Sequence, residues 1–518
     1  MNERLSSADV IFMHRETRNA PQHVGGLAVF EPPVSGFDYD RLVKLLEERI
    51  SLAPRYRQKV REVPGHLANP IWVDDPTFDI TYHVRRSALP RPGTDAQLLE
   101  FCARIQSRLL DRARPLWEMY LVEGLAGRRV AIITKTHQAM VDESGAIDIF
   151  EVILDAAPQP RRTVQALWMP EPEPSSVRLL REAVKSAAVR PRTVVDTARV
   201  GLEDARIAVQ RASMRAGGLR HAVRGVASVS RSVVRKQPPS PLQVELSEQR
   251  RTAIARTRLE DYRKVRAAYG GTVNDVVLAV VSGALRGWLL SRVVPLRSAT
   301  SVRALVPVSV IDDGDAPHGT ISARHPAGAA VESYRRVRPL LVDLPVGEPD
   351  PLLRLTQLRY AMASHKASGR AVGADALAAL GGFAPPTLLA LGARASGGLT
   401  RRMFSLVVTN VPGPQLPLYA AGARMTEMFP ILPLGPGQAL SIALTSYDGG
   451  VYFCVNADRD SVRDADMLAL MVEESLAELV SSIEQPEAAS GGDPGGPVRA
   501  PRRRGRPSVP SSPQSPTP

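Results

Sequence analysis

The stretch Val130–Phe150 holds the densest group of side chains that could do chemistry. A β-rich apolar run, VAIITKT, stops at His137, and a loop that ends in Asp142 leads to a helix that begins near Ser144. Catalytic groups often lie in loops at strand ends, and a histidine with a carboxylate partner can serve as a general base with its orienting group. A histidine near an aspartate is also a common structural hydrogen-bonded pair, so this stretch alone indicates a site without defining a reaction.

Two blocks of strand and helix patterns must position this stretch. The first block has strand-like GLAVFEP and RRVAIITKT, and helical periodicity in YDRLVKLLEERI and DAQLLEFCARIQSRLL. The second has the strand patterns RALVPVSV, SLVVTNV, LSIALTSY and GVYFCVNA, and the helix patterns TVNDVVLAVVSGALRGWLL and ADMLALMVEESLAELVSSIE. These patterns predict an α/β (α+β) fold with lobes at residues 1–170 and 241–484, each a mixed β-sheet flanked by helices, with the reaction site between them.

The positive charge of the chain lies outside the two lobes. The 518 residues carry a formal net charge of +13, of which +10 falls between Arg178 and Lys236 and +3 falls after residue 484. Residues 171–240, bounded by MPEPEPSS and QPPSPL, are therefore predicted to be a long basic helical connector. Residues 485–518, rich in Pro, Ser and Arg, are predicted to be a disordered tail.

Arginines and aliphatic residues alternate along the connector at loosely helical spacing. Such a helix can lie on an anionic membrane surface, or it can be a solvated helix packed across two domains; the pattern leaves both open. Nucleic-acid binding is disfavoured, because no aromatic residues stand among the basic ones to stack on bases.

Cysteine usage and the apolar runs predict a cytoplasmic protein. Cys102 and Cys454 are far apart and form no CxxC pair, so neither a disulfide framework nor a thiolate metal site is expected. The N-terminal stretch is polar and predicts no signal peptide. The most apolar run, Val276–Leu290, is interrupted by Arg286 and is predicted to be a buried helix.

Several segments in a fixed order resemble one family, the bacterial wax ester synthase/diacylglycerol acyltransferases, which belong to the CoA-dependent acyltransferase superfamily of chloramphenicol acetyltransferase and condensation domains. These segments run from about residue 6 to about residue 480: SSADVIFMHRETRNAPQHVGGLAVFE, PLWE within RARPLWEMYLVEGL, NDVVLAVVSGALRGWL, RALVPVSV, LVDLPVGEPDP, NVPGP followed by PLYAAGARM, and SYDG.

The resemblance implies two chloramphenicol-acetyltransferase-like lobes and the formation of triacylglycerol from long-chain acyl-CoA and diacylglycerol, or of wax esters from fatty alcohols. It implies acyl-CoA as a co-substrate and no metal or prosthetic group. The basic connector is expected to bring this otherwise cytoplasmic protein into peripheral contact with the inner face of the membrane or with lipid droplets. The family motif HHxxxDG aligns with HQAMVDE, so the catalytic positions are His137, Gln138 and Asp142.

Gln138 replaces the histidine that acts as the general base in the family. An imidazole titrates near pH 6.5 and assists by about 10²–10⁴ in rate, whereas a carboxamide does not titrate in this range. Three explanations are open: His137 turns into the site, Glu143 acts as the base, or the protein has lost or reduced turnover and binds acyl-CoA or lipid without catalysis.

Other motifs have a structural and a functional interpretation. Trp117 is predicted to be a packing anchor or a substrate contact, and Asn274 with Asp275 a helix N-cap pair or part of the substrate channel. NVPGP is predicted to be a turn. Around residues 321–340 the chain is about twenty residues longer than the family usually is. This extra segment indicates either a surface loop or an altered acceptor channel.

Overall fold

The structure is a computed structural model that describes residues 3–141, 149–161, 168–189, 240–309, 337–368 and 404–484. Asp142, Glu143, Ser144, most of the connector, residues 321–336 and the tail lie outside the described residues. The helices of the described part are α1 (Ser7–Arg15), α2 (Tyr39–Arg49), α3 (Ile80–His83), α4 (Asp95–Ser107), α5 (Ile149–Ile153), α6 (Ser176–Val189), α7 (Leu259–Tyr269), α8 (Val273–Ser291), α9 (Pro351–Ser368) and α10 (Ala465–Glu484).

The strands of the described part build two large sheets and one hairpin. They are β1 (His23–Glu31), β2 (Gln58–Arg61), β3 (Ile71–Asp74), β4 (Val84–Ala88), β5 (Trp117–Glu123), β6 (Val130–His137), β7 (Leu154–Asp155), β8 (Arg250–Arg258), β9 (Val302–Ser309), β10 (Val337–Leu344), β11 (Leu406–Pro412), β12 (Tyr419–Ala420), β13 (Ala423–Ile431), β14 (Leu440–Tyr447) and β15 (Gly450–Asp458). The strands and helices predicted from periodicity are confirmed in both lobes.

The first sheet has the order β4-β5-β6-β1-β13-β12-β7. Two of its strands, β12 and β13, come from the second half of the chain, and β13 pairs antiparallel with β1 over Gly25–Glu31. The first lobe therefore takes strands from beyond residue 170, and the two lobes are joined by a crossing segment as well as by the connector.

The second sheet has the order β10-β9-β11-β14-β15-β8, with parallel and antiparallel pairs. It packs on α8, whose apolar residues from Val276 to Leu289 are nearly all buried in the core of this lobe. Within the described residues α8 is the one helix long and apolar enough to cross a membrane, and it is mostly buried in the protein. The prediction of a buried core helix is confirmed.

The N-terminus of α8 is capped in a different way from the predicted one. The N-cap is Thr272, whose backbone N–H donates to Asp275 Oδ2 at 2.8 Å and whose hydroxyl accepts from the Asp275 N–H at 3.2 Å. Asn274 and Asp275 therefore lie inside the helix, and Asp275 completes a capping box. The prediction that these two residues form the N-cap was wrong by two positions.

Part of the basic connector is described. α6 is helical as predicted, and its Leu179 and Ala183 are buried against an apolar cluster of the first lobe formed by Val63, Ile71 and Val73. This end of the connector packs on the protein, whereas residues 190–239 lie outside the described part. Membrane contact by the connector stays a prediction.

Candidate functional site

The candidate site lies at the end of the ladder that joins β1 and β6, two central strands of the first sheet. In this antiparallel register His23 lies opposite His137. One position further, the backbone N–H of Gln138 donates to the carbonyl of Gln22 at 2.9 Å. The ladder therefore brings residues 22 and 23, from the start of the chain, beside the predicted catalytic pair.

His137 is a buried structural histidine, 1% exposed. Its Nδ1 accepts a hydrogen bond from the backbone N–H of Ala139 at 3.0 Å and caps the 3₁₀ turn Gln138–Met140. Burial lowers the pKa of His137 to about 4, so the ring is neutral near pH 7. Because Nδ1 accepts, the single proton of the neutral ring is on Nε2, which faces Glu16 Oε1 at 3.6 Å. His137 thus has no free lone pair with which to take a proton.

Glu16 is a buried carboxylate that links three basic side chains. Its Oε2 accepts from Arg112 at 2.8 and 3.2 Å, and its Oε1 lies 3.0 Å from His23 Nε2. Burial alone would raise the pKa of Glu16, but the hydrogen bond with His23, the two imidazoles when they are protonated and the hydrogen bond from Arg112 lower it to about 2. The carboxylate is therefore ionised over the physiological range.

His23 is held differently from His137. A lone pair on Nε2 would repel the Glu16 carboxylate at 3.0 Å, so Nε2 carries the proton. Burial lowers the pKa of His23, although Glu16 opposes this shift, and the ring is neutral near pH 7. Its Nδ1 lone pair is then available, and this atom is buried without a hydrogen-bond partner. Glu16 thus orients His23 as a carboxylate orients a general-base histidine, while the His23 side chain itself is buried, at 2% exposed.

Gln138 begins the 3₁₀ turn with a half-buried side chain. Its Oε1 is buried and has no hydrogen-bond partner. Its amide can donate to or accept from a hydroxyl, but it cannot take a proton from one. Asp142, the third predicted catalytic residue, lies outside the described residues, and its role stays a prediction.

Acidification from pH 7 to pH 4 is expected to destabilise the folded chain through the two histidines. The unfolded chain protonates them near pH ~6.5, whereas the folded chain holds the pKa of His137 at about 4 by burial, with Glu16 opposing the shift. The contribution of the neutral, buried His137 to the unfolding free energy is fully present above about pH 6.5 and is lost as the pH falls towards 4. Urea unfolding at several pH values measures it. His137→Asn, whose amide oxygen can accept the same N–H, should lose less stability over this range, and an identical profile would contradict the assignment.

Trp117 fills core volume beside this site. It is fully buried, donates its Nε1–H to the carbonyl of Tyr56 at 2.8 Å, and stacks on His83 at a ring separation of 4.7 Å. These contacts favour the packing-anchor interpretation, and a direct contact of Trp117 with substrate stays a prediction that they do not support.

Asn274 lies at the contact between α8 and β11. Its Oδ1 accepts from Asn410 Nδ2 at 3.3 Å, which ties the start of the helix to the NVPGP segment. That segment closes on β14, where Gly413 approaches Ser446 so closely that a Cβ would meet the Ser446 carbonyl oxygen at 2.4 Å. The amides of Asn274 and Asn410 hold α8 against β11, and substrate contact by Asn274 stays a prediction.

The described residues include no group of three or more His, Cys, Asp or Glu side chains arranged to hold a metal ion. Both cysteines are buried and unpaired, and burial raises the pKa of the Cys102 thiol to about 12.

Sequence analysis missed Glu16, His23 and Arg112. Both Glu16 and His23 stand in the segment HRETRNAPQHVGG, in which charged and imidazole groups precede a strand. That pattern could have indicated polar groups at a strand end, but the pairing of β1 with β6, which makes them neighbours of Gln138, cannot be read from the local sequence.

Family models match most of the chain. The wax ester synthase/diacylglycerol acyltransferase catalytic domain matches residues 5–277, and the WS/DGAT C-terminal domain matches residues 336–480. A Mycobacterium tuberculosis protein named probable diacylglycerol O-acyltransferase tgs1 is 32% identical over 479 residues, 92% of this chain and 96% of that protein. Another from the same organism, named tgs3, is 44% identical over 270 residues, 52% of this chain and 97% of that protein.

Comparison with solved structures identifies the same family as comparison with the sequence relatives. The wax ester synthase/diacylglycerol acyltransferase from Marinobacter aquaeolei VT8 superposes with a TM-score of 0.63 at 25% identity, covering 93% of this chain and 100% of that one. The first condensation domain of the calcium-dependent antibiotic synthetase, at 16% identity and a TM-score of 0.54, covers 94% of this chain and 97% of that one and shows the shared fold. The two-lobed fold predicted from the sequence is confirmed, and the chain belongs to the wax ester synthase/diacylglycerol acyltransferase family.

Proposed function

We propose that this chain transfers a long-chain acyl group from acyl-CoA to the hydroxyl of diacylglycerol, or of a fatty alcohol, with slow turnover. The observation that carries the proposal is the match of the catalytic-domain model through the His137–Gln138 strand end. The named relatives and the Marinobacter structure support the same substrates. The reaction needs no metal or prosthetic group, since the thioester already carries an activated acyl group.

The reaction requires one proton to move. The acceptor hydroxyl loses its proton as its oxygen forms a bond to the thioester carbonyl carbon. The tetrahedral intermediate then collapses, the carbon–sulfur bond breaks, and the sulfur takes a proton to leave as the CoA thiol. In the family this proton passes through the histidine at the position of Gln138, and an amide there can only orient the hydroxyl.

His23 is the group that we propose as the base in place of the missing histidine. Its Nδ1 is unpartnered, its Nε2 faces an ionised carboxylate that stabilises the imidazolium, and its backbone lies on the strand that pairs beside Gln138. His137 is excluded from this role in its present conformation because Nδ1 already accepts from Ala139.

Non-catalytic binding of acyl-CoA or lipid is the second candidate function. It is favoured by one observation: neither Gln138 nor His137 offers a titratable lone pair at the aligned motif. Cytoplasmic location, with the connector on a membrane or lipid-droplet surface, is proposed for either function.

These proposals are tested by measuring the release of CoA thiol from palmitoyl-CoA, with and without diacylglycerol or hexadecanol, and by analysing the lipid products. We expect slow, acceptor-dependent release by the natural chain. His23→Gln should reduce it to the uncatalysed rate, whereas His137→Asn, which keeps the acceptor for Ala139, should reduce it far less. Retained turnover in His23→Gln rules out His23 as the base. Binding of palmitoyl-CoA without any release in the natural chain would establish the second candidate function.

A further inference from the structure

A cleft of about 810 Å³ lies between the two lobes, apart from the Gln138 strand end. One wall is formed by α4 of the first lobe and the other by the start of β8 and the residues just before it, from Glu248 to Thr252. Its volume falls in the range of about 300–1,000 Å³ that is usual for small-molecule sites.

Arginines dominate the lining of this cleft. Six of them, Arg18, Arg104, Arg108, Arg250, Arg251 and Arg459, line it together with only three carboxylates, Glu100, Glu248 and Asp466. Two arginines use two of these carboxylates, because Arg18 lies 3.8 Å from Glu248 and Arg251 pairs with Asp466. Arg104 and Arg108 make no ion pair with any residue that the structure describes. A third lining arginine, Arg250, lies 3.7 Å from Asp458, so the positive excess of the cleft rests on Arg104, Arg108 and Arg459 against Glu100.

A buried hydroxyl in the same cleft also lacks a partner. Thr252 is 4% exposed, and its Oγ1 makes no hydrogen bond. The buried Nε of Arg251, on the neighbouring residue, is likewise without a partner. Buried polar groups are nearly always satisfied, so the unpartnered Thr252 hydroxyl on the first-lobe face of β8 indicates a ligand that offers an acceptor oxygen there, whereas Arg251, the adjacent residue on the strand, points to the opposite face, towards Asp466.

The cleft is connected to the reaction site by a short stretch of chain. The Nη2 atom of Arg250 donates to the backbone carbonyl of Asn19, and the backbone N–H of Arg250 donates to Ser107 Oγ at 3.0 Å. From Arg18 the chain runs only four residues to Gln22, which accepts the N–H of Gln138, a span of at most about 14 Å. A ligand seated in the cleft could thus extend an arm towards Gln138 and His23.

We propose that this cleft binds the 3′-phosphorylated ADP end of the acyl-CoA donor. Arginine forks match phosphate oxygens, the Thr252 hydroxyl can donate to one of them, and Leu99 and Leu109 add apolar lining for a base. The pantetheine arm then spans the distance to the strand end and places the thioester there. This inference rests on the proposed acyl-CoA-dependent function.

Binding to the full-length chain tests the proposal without requiring turnover. Titration calorimetry compares CoA, dephospho-CoA, adenosine 3′,5′-bisphosphate and inorganic phosphate on the natural chain and on the Arg104→Gln/Arg108→Gln double variant. Both arginines are exposed, so the variant should fold normally. We expect CoA to bind more tightly than dephospho-CoA, and the variant to lose on the order of tenfold in CoA affinity together with that preference. Arg86→Gln, an exposed arginine on β4, is the matched control.

Four results would overturn the proposal. Equal CoA affinity in the double variant and the natural chain would place the nucleotide elsewhere. Inorganic phosphate binding as tightly as the bisphosphate would leave a general anion site. Variant-sensitive binding to phosphatidylglycerol vesicles, without CoA binding, would assign the cleft to a lipid headgroup. Normal CoA release with an unchanged KM in the double variant would reject the cleft while leaving the proposed function intact.

Discussion

Replacing Gln138 with histidine is expected to raise the rate of CoA release by about 10²–10⁴, the usual contribution of a positioned general base. The new imidazole would stand at the family's base position, next to a site that already holds Glu16 and His23. Because the change adds a proton acceptor and leaves the proposed nucleotide cleft untouched, the gain should be in kcat, with little change in KM for palmitoyl-CoA.

Gln138→Leu is the control for this substitution, since it keeps the side-chain size without offering a proton acceptor. It should show no gain and should lose what orientation the amide provides. If Gln138→His binds palmitoyl-CoA normally and yet releases CoA no faster than the natural chain, the acceptor cannot reach position 138. The departure in residues 321–340 would then become the feature to test. Addition of His23→Gln to Gln138→His should leave most of the gained activity, because the new base acts independently of His23.

Removal of the Arg49 guanidinium is expected to cost about 3–5 kcal/mol of unfolding free energy, the typical penalty for leaving one partner of a buried ion pair. Arg49 is fully buried at the end of α2, and its Nη2 lies 2.9 Å from Asp155 Oδ2. The guanidinium also donates to the carbonyls of Val152 and Arg161. Arg49 therefore holds α2 against α5 and β7. These two elements directly follow the segment of residues 142–148, which includes Asp142.

Urea denaturation of Arg49→Met measures this cost. Arg86→Met is the matched control, because Arg86 pairs with Glu123 at 2.7 Å but is largely exposed, and the loss of such an exposed pair changes the unfolding free energy little. Adding Asp155→Leu to Arg49→Met should recover part of the loss, since the buried carboxylate would otherwise keep only Arg161, whose half-exposed Nε lies 3.5 Å from Asp155 Oδ1. Equal destabilisation by Arg49→Met and Arg86→Met would show that the buried pair contributes no more than an exposed one.

The helices and strands of both lobes were predictable because their signals are local. The two-residue period of RRVAIITKT and the helical period of TVNDVVLAVVSGALRGWLL are properties of single segments, and both are confirmed as β6 and α8. Capping was predicted less well. Thr272, Asn274 and Asp275 can all cap a helix, and the choice of Thr272 depends on where the chain leaves α7 at Gly270.

The sequence by itself determined the family and the departure within it. The order of the motifs along the chain identifies the family of two-lobed acyltransferases. Within the aligned motif HQAMVDE, Gln138 occupies the position at which the family has its general-base histidine. That an amide cannot take a proton from an alcohol is a property of the residue type, so this conclusion required no coordinates.

Only the tertiary structure decided which groups surround Gln138. Strand pairing brings His23 opposite His137 across the β1–β6 ladder, and Arg112 and His23 meet on one carboxylate, Glu16. It also inserts β13 into the first sheet and places α4 against β8 around the arginine cleft. These contacts join segments far apart in the chain, and their register is set by the packing of whole sheets and helices, which a local pattern does not encode.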